Sequence, residues 1–220
     1  MTPPGTLVFD LDGTLVDSVP DLAAALNRLL ARRGLMPFDA AGVTGMVGDG
    51  VPALVGRAFA ARGVAEDAAA LPEFLADYTP HAAVATRPYP DVTETLATLA
   101  AAGWRMAVCT NKPEAAARAV LGALRLDRWF AAVGGGDSFA VRKPDRGHLL
   151  ATLAAAGGDP ARAVMIGDHH NDVAAAQGAG VASIFAAWGY GPLEAGREAG
   201  VIVPRFAALP AAIAALSRRT

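Results

Sequence analysis

The sequence predicts an α/β fold in which a Rossmann-like parallel sheet is flanked by helices and interrupted by an all-helical insert. Three observations lead to this prediction. The first apolar run, from Leu7 to Phe9, lacks alternation, as expected for a strand covered on both faces. Beyond Asp91, short apolar strand patterns alternate with helical patterns. Between residues 18 and 86 only helical spacing is found.

Composition narrows the class of protein. The chain has 220 residues, 53% of them hydrophobic, which is enough to bury a sizeable core. With 19 basic and 21 acidic residues its net charge is −2, so neither nucleic acid nor a membrane is expected as a partner. The single cysteine, Cys109, excludes an internal disulfide and fits a reducing compartment. No signal-peptide pattern and no apolar run of ~18 residues is found, so we expect a cytoplasmic monomer or homodimer.

The first strand is predicted at Thr6–Phe9, and a helical region follows unusually early. Pro20 suits the first turn of a helix over residues 19–33, which Gly34 would end. Further helical patterns cover residues 51–62 and 69–85, and the chain returns through the proline-rich segment 86–90. We therefore expect one insert between the first strand and the rest of the sheet.

The second half predicts repeated βαβ units. Asp91 and Glu94 resemble a capping box that opens a helix over residues 95–102. Four further strands and one short final strand are expected, at residues 105–109, 131–133, 163–166, 181–185 and 201–203. Helices are expected at residues 113–124, 146–157, 171–179 and 206–218. Helices of this length between strands indicate right-handed crossovers and a parallel sheet.

Two acidic residues directly follow the first strand, which is an unusual place for charged side chains. Asp10 and Asp12 are two residues apart, so both carboxylates can face one point at the strand end. Two close carboxylates repel each other unless a cation or a proton lies between them. A hard, oxygen-preferring cation such as Mg²⁺ is the simplest resolution.

Polar residues also follow the other strands. Thr110 and Asn111 come after the second strand, Lys143 follows the third strand and its loop, and Asp168 to Asp172 follow the fourth. Ligand sites of doubly wound sheets lie at the carboxyl ends of the strands. The carboxylates suit a cation, and the hydroxyl and the lysine suit the oxygens of a phosphate.

Four motifs among these residues resemble those of haloacid dehalogenase superfamily phosphatases, and within them the phosphoglycolate phosphatase group. They are FDLDGTL at residues 9–15, VCTNKP at 108–113, KP at 143–144 and IGDHHND at 166–172. The resemblance extends from Phe9 to about Gly191. It implies a core of residues 1–17 and 87–220 with the insert, residues 18–86, as a helical cap.

The resemblance also implies roles. Asp10 would attack phosphorus and form an aspartyl-phosphate, while Asp12 would protonate the leaving alkoxide and then deprotonate the attacking water. Thr110 Oγ and the Asn111 amide would hold phosphoryl oxygens. Lys143 would neutralise the charge that Asp10 shares with the phosphate.

For the metal, the resemblance implies that Asp168 binds Mg²⁺ together with Asp10 and the main-chain carbonyl of Asp12. Asp172 would act through water or hold Lys143. The implied reaction is Mg²⁺-dependent hydrolysis of a small phosphomonoester, with 2-phosphoglycolate as the expected substrate and glycolate and phosphate as products.

The glycine-bounded loop of Gly48, Asp49 and Gly50 precedes a helix, where backbone amides can bind an anion. It resembles the cap loop that faces the leaving group in the phosphatase group. Arg57 lies two turns further on and is a weaker candidate for a substrate carboxylate. We expect this loop to contact substrate.

His169 takes a position where relatives more often carry a small hydroxyl residue. Two adjacent histidines, His169 and His170, raise the possibility of a softer metal such as Zn²⁺ or Mn²⁺. Adjacent side chains seldom both reach one ion, so we expect these histidines to face solvent or cap the following helix.

Three alternatives stay open at this stage. The first is another enzyme of the same family, a phosphomutase or a phosphatase acting on a sugar phosphate, a nucleotide or pyridoxal phosphate. The second is a phospho-accepting signalling module, which also combines acidic residues with a threonine and a lysine but has them in another order. The third is a catalytically inactive relative, which is disfavoured because no expected catalytic position is missing.

Overall fold

The computed structural model describes residues 4–216. Its strands are β1 Thr6–Phe9, β2 Val16–Asp17, β3 Arg87–Pro88, β4 Arg105–Cys109, β5 Ala132–Gly134, β6 Ala163–Gly167, β7 Ala182–Ala186 and β8 Val201–Val203. Six of them form one parallel sheet in the order β5-β4-β1-β6-β7-β8. The predicted α/β class is confirmed, and the six strands of this sheet are those that the sequence predicts, whereas β2 and β3 were not predicted.

Apolar helices cover both faces of this sheet. The helices are α1 Val19–Ala31, α2 Ala40–Thr44, α3 Val51–Ala61, α4 Ala70–His81, α5 Val92–Ala101, α6 Glu114–Ala123, α7 Arg146–Ala155, α8 His170–Ala179 and α9 Leu209–Leu216. Leu7 and Phe9 of β1 belong to the larger apolar cluster, whereas Val8 packs with α7 and α8 on the opposite face. Burial on both sides explains why β1 shows no polar alternation.

The helical insert is the segment of residues 18–86 between β2 and β3. It consists of α1 to α4, and α1 lies against α4. Where the chain enters and leaves the insert, β2 and β3 pair antiparallel, with Val16 opposite Pro88 and Asp17 opposite Arg87. The sequence predicted the return segment but not this pairing, because two-residue strands carry no periodicity.

Several predicted boundaries are wrong. The helix after Pro90 begins at Val92, and Asp91 makes no capping bond through its side chain. Instead Asp91 has φ 65° and ψ 5°, a left-handed conformation that aspartate tolerates better than most residues. The fourth insert helix ends at His81 rather than residue 85.

At the carboxyl end, residues Phe206–Ala208 form a short 3₁₀ turn before α9. The predicted end of that helix, at residue 218, lies outside the described residues. Across residues 4–216, every helix is too short or too polar to cross a lipid bilayer.

Candidate active site

The strand ends that carry the predicted site residues are neighbours in the sheet. Phe9 of β1 lies opposite Val108 of β4 and Ile166 of β6. This register places Asp10, which follows β1, next to the polar residues that follow the other two strands. The central position of β1 thus brings the four sequence motifs to one edge of the sheet.

Asp10 is buried at this edge. Its Oδ1 accepts a hydrogen bond from the Leu11 amide at 2.7 Å and lies 3.0 Å from Lys143 Nζ. Burial raises the pKa of Asp10 to about 7 because the charged form loses its hydration; Lys143 opposes this rise, and Asp172 and Asp168 add to it. The site therefore holds more negative charge than its lysine can balance.

Lys143 bridges two carboxylates. Its Nζ lies 2.6 Å from Asp172 Oδ1 in addition to its contact with Asp10. Burial alone would lower the pKa of Lys143, but the charges of Asp10 and Asp172 outweigh burial and raise it. Lys143 is therefore a permanent cation, and its pairing with Asp172 agrees with one of the two roles predicted for Asp172.

Asp168 is fully buried and held from several sides. Its Oδ1 accepts from Thr14 Oγ1 at 2.9 Å, and its Oδ2 accepts from the Tyr190 amide at 2.8 Å. His169 Nδ1 lies 3.0 Å from the same Oδ2. These contacts fix the direction of the carboxylate, as is usual for residues that present an oxygen to a ligand.

The acidic cluster can hold a metal ion. Asp10, Asp168, His169 and Asp172 each offer one ligand atom, and these atoms lie within 4.8 Å of one another. The three carboxylates are hard oxygen donors that suit a divalent cation. His169 is buried and is the N-cap residue of α8, and its main-chain amide donates to Asp172 Oδ2 at 3.0 Å. The expectation that the histidines face solvent or cap the helix therefore holds through capping for His169 and through exposure for His170.

Asp12 is turned away from this cluster. Both of its carboxylate oxygens contact Lys112 Nζ, at 3.0 and 3.1 Å, so its carboxylate is not part of the metal cluster. Lys112 Nζ also donates to the hydroxyl of Tyr78 on α4. The two aspartates of the first motif therefore face different cations on opposite sides of the site.

The loop of the helical insert reaches the core directly. Asn111 Nδ2 donates to the Gly48 carbonyl at 3.1 Å and to the Lys143 carbonyl at 2.9 Å. Asn171 Nδ2 donates to Asp49 Oδ1 at 2.7 Å. The loop is thus held over the site by two asparagines that follow two different strands.

Close approach explains both glycines of this loop. A Cβ on Gly48, at φ 123°, would lie 2.4 Å from a ring carbon of His169. A Cβ on Gly50, at φ 87°, would lie 3.0 Å from the Asn111 carbonyl oxygen. Asp49 points its carboxylate at Asn171 and Arg57. Arg57 of α3, the weaker candidate for a substrate contact, therefore forms its ion pair with Asp49 of the loop.

A cavity of about 30 Å³ lies between the loop and the sheet edge. Its polar wall comes from the core and its apolar wall from the insert. The residues that line it are Asp10, Asp12, Leu22, Val47, Gly48, Gly50, Val51, Leu54, Thr110, Asn111 and Lys112. Six of the predicted site residues thus surround one small space. Lys143, Asp49, Asp168 and Asp172 do not line it; Lys143 contacts Asp10, and Asp168 and Asp172 form the acidic cluster with Asp10.

Sequence reasoning missed Lys112, Thr14, Asn171 and Tyr190 as parts of the site. The first three stand inside the quoted motifs, at positions for which no role was inferred. Tyr190 lies beyond β7, and its amide and hydroxyl join Asp168 to Asp17 at the start of the insert. Position directly after a strand was a usable signal for the first three but not for Tyr190.

The fold and the site define an α/β enzyme whose acidic, lysine-containing site lies at the carboxyl edge of a parallel sheet under a helical roof. A family model described as haloacid dehalogenase-like hydrolase matches residues 4–180. The chain belongs to this family.

Similar proteins agree with this assignment. The chain is 43% identical over 216 residues to a phosphoglycolate phosphatase of Agrobacterium fabrum, covering 94% of this chain and 91% of that one. It is 47% identical over 195 residues to a phosphoglycolate phosphatase of Rhodospirillum rubrum, covering 85% and 81%. A crystal structure of a predicted phosphoglycolate phosphatase from Haemophilus somnus superposes with a TM-score of 0.86 at 30% identity, covering 96% and 99%.

Proposed function

We propose that this protein hydrolyses 2-phosphoglycolate to glycolate and phosphate. The observation that carries the chemistry is the buried Asp10 carboxylate, 3.0 Å from Lys143 and next to an acidic cluster able to hold a cation. The two relatives described above, at 43% and 47% identity, support the choice of substrate.

In the proposed reaction Asp10 attacks phosphorus and the alkoxide leaves, forming an aspartyl-phosphate. Lys143 balances the charge that Asp10 and the phosphoryl group share. Water then attacks the same phosphorus, releases phosphate and restores Asp10. Asp172 holds Lys143 in place for both steps, at 2.6 Å from its Nζ.

Asp12 gives a proton to the leaving alkoxide and takes one from the attacking water in the second step. Its position supports this role, since it lines the cavity next to Asp10 while its carboxylate lies outside the acidic cluster. Thr110 Oγ and the Asn111 main-chain amide are proposed to hold phosphoryl oxygens. The Asn111 side-chain amide already bonds two carbonyls, which leaves its main-chain amide for this task.

Mg²⁺ is the proposed cofactor, held by carboxylate oxygens of Asp10 and Asp168 and the main-chain carbonyl of Asp12, with Asp172 acting through water. When bound, the cation would neutralise phosphoryl charge and orient the phosphate for in-line attack. The fit rests on three buried carboxylates with nearby oxygens, which is the donor type that Mg²⁺ prefers.

The helical insert, residues 18–86, is proposed to act as a cap on a core of residues 1–17 and 87–220. The loop of Gly48, Asp49 and Gly50 would face the leaving group and move away to admit substrate, since it lines the cavity and is bonded to Asn171 across the site. The proposed setting is the cytoplasm, as a monomer or homodimer, because composition offers no basic face for nucleic acid or membrane.

The test is phosphate release from 2-phosphoglycolate by purified protein, with Mg²⁺ and with EDTA. We expect Mg²⁺-dependent release that Asp10→Asn abolishes, because an amide is not a nucleophile. Release by the variant at a tenth of the wild-type rate would contradict the role of Asp10. A panel of sugar, nucleotide and pyridoxal phosphates, compared by kcat/KM, tests the substrate separately from the chemistry.

A further inference from the structure

Lys112 and Lys143 are the two lysines of this chain, and every other residue counted as a fixed cation is an arginine. Both lysines are buried at the site. Lys143 is accounted for by Asp10 and Asp172. Lys112 touches neither of these carboxylates in the described structure, so its position calls for a separate explanation.

Stability does not explain Lys112. Removing an ammonium group from water costs several kcal/mol, and apolar packing of similar volume is commonly as stable as a buried ion pair. Both carboxylate oxygens of Asp12 lie within 3.1 Å of Lys112 Nζ, and the Tyr78 hydroxyl accepts a hydrogen bond from it. Lys112 is therefore held as a cation in a place where a cation is costly.

The cavity shows what this cation faces. Among the residues that line it, Lys112 is the one with a positive charge. Leu22, Val51 and Leu54 form the opposite wall, which offers no partner to the hydroxyl groups of a sugar. Lys112 also borders Asp12, the residue proposed to serve the leaving-group oxygen. A negative group one or two bonds beyond that oxygen would lie beside Lys112.

We propose that Lys112 binds the carboxylate of the substrate's leaving group and thereby selects phosphorylated hydroxy acids over uncharged phosphate esters. This inference rests on the proposed phosphatase function and on the leaving-group side assigned to Asp12. Lys112 is a specificity-determining residue, and the chemical class that it recognises is a short carboxylate.

Tyr78 positions Lys112 from the helical insert. Its hydroxyl oxygen accepts a hydrogen bond from Lys112 Nζ, and the ammonium group lies 4.6 Å from the centre of the Tyr78 ring. An ammonium group cannot accept a hydrogen bond, so the hydroxyl proton of Tyr78 must find another acceptor. Within residues 4–216 no acceptor contacts the Tyr78 hydroxyl. A substrate carboxylate bound at Lys112 would bring an acceptor oxygen close to that hydroxyl.

The first experiment compares two substrates that differ only in the carboxylate, 2-phosphoglycolate and ethyl phosphate. Each is measured with wild-type protein, Lys112→Met and Tyr78→Phe. A hydrogen-bonded charge pair has a strength equivalent to about 10- to 100-fold in kcat/KM. We expect Lys112→Met to lower the ratio of kcat/KM for phosphoglycolate over ethyl phosphate by that factor, and Tyr78→Phe to lower it less. An equal loss on both substrates would overturn the proposal, because it would mean that Lys112 serves only Asp12.

The second experiment needs neither turnover nor a folded Lys112 variant. Wild-type protein labelled with ¹⁵N-lysine has two side-chain ammonium signals, which can be told apart with Lys112→Arg or by proximity to Tyr78. We expect 3-phosphonopropionate to shift the Lys112 signal. Propylphosphonate, which lacks the carboxylate, should shift the same signal by less than about a tenth as much. Equal shifts with both probes would overturn the proposal.

The two experiments separate this inference from the proposed function. Failure of wild-type protein to hydrolyse phosphoglycolate while it hydrolyses ethyl phosphate would refute the proposed substrate. The response of the Lys112 signal would still decide whether the carboxylate is recognised. Arg118→Met, which removes an exposed cation paired with Glu114 on α6, is the matched control and should leave the substrate ratio unchanged.

Discussion

Burial makes the charged form of Asp10 unfavourable in the folded protein, and the shift of its pKa indicates by how much. The pKa of Asp10 rises from 3.8 to about 7, mainly through burial. Three units of pKa correspond to about 4 kcal/mol of folding free energy. Because the folded protein holds the proton more tightly than the unfolded chain, this stabilisation is complete below pH ~4 and is lost as pH rises through ~7.

The Asp10→Asn variant removes this loss because an amide stays neutral at every pH. The quantity to compare is the free energy of unfolding of the variant minus that of wild type, both in EDTA. We expect this difference to rise by about 3 kcal/mol as the pH is raised from 5 to 8.5. Urea unfolding at several pH values measures the difference. Mg²⁺ at pH 8 should stabilise wild-type protein more than the variant, since the variant offers the cation two buried carboxylates in place of three.

Comparison of the two proteins and one control variant isolate the contribution of Asp10 to the pH dependence. Burial lowers the pKa of His148 to about 4, so its contribution to stability is lost as pH falls from about 6.5 to 4, but both proteins carry it and it cancels in the difference. Asp127→Asn alters an exposed carboxylate outside the site and is the surface control, whose free energy of unfolding should stay within about 0.5 kcal/mol of wild type. A flat difference between Asp10→Asn and wild type across pH 5 to 8.5 would refute the raised pKa of Asp10.

Two further predictions concern the loop and the site lysine. Gly48→Ala places a methyl group 2.4 Å from a histidine ring carbon and should raise KM at least about tenfold by displacing the loop. Gly45→Ala is the matched control, since its methyl group would meet nothing within 4 Å; equal KM values would contradict the close-approach argument. Lys143→Met leaves two buried carboxylates unpaired and should lower the free energy of unfolding without metal by about 3–5 kcal/mol. Unchanged urea unfolding would mean that the carboxylates are already neutral.

Much of the site could be predicted because its residues follow consecutive strand patterns. Parallel strands end at one edge of the sheet, so residues that directly follow β1, β4 and β6 must lie near one another. That rule predicts that Asp10, Thr110 and Asp168 lie close together, although no contact between them is known from the sequence. It did not say which way each side chain turns, and Asp12 proved to face a cation that the rule never considered.

A local sequence pattern gave a wrong prediction at Asp91, where aspartate fits two different structural roles. The sequence around Asp91 predicts a helix cap because aspartate is favoured at that position. The structure shows a left-handed backbone at Asp91, so its value lies in tolerating that conformation. Composition cannot separate these two uses of aspartate, since both occur next to a helix start.

The sequence by itself determined the order of strands and helices, the place of the insert and the edge of the sheet where the polar residues meet. These follow from periodicity and from chain direction, which are local properties. Only the tertiary structure decided the pairs: Thr14 with Asp168, Asn171 with Asp49, and Lys112 with both Asp12 and Tyr78. Partners so far apart in the chain are chosen by how the insert packs on the core, and no local pattern encodes that choice.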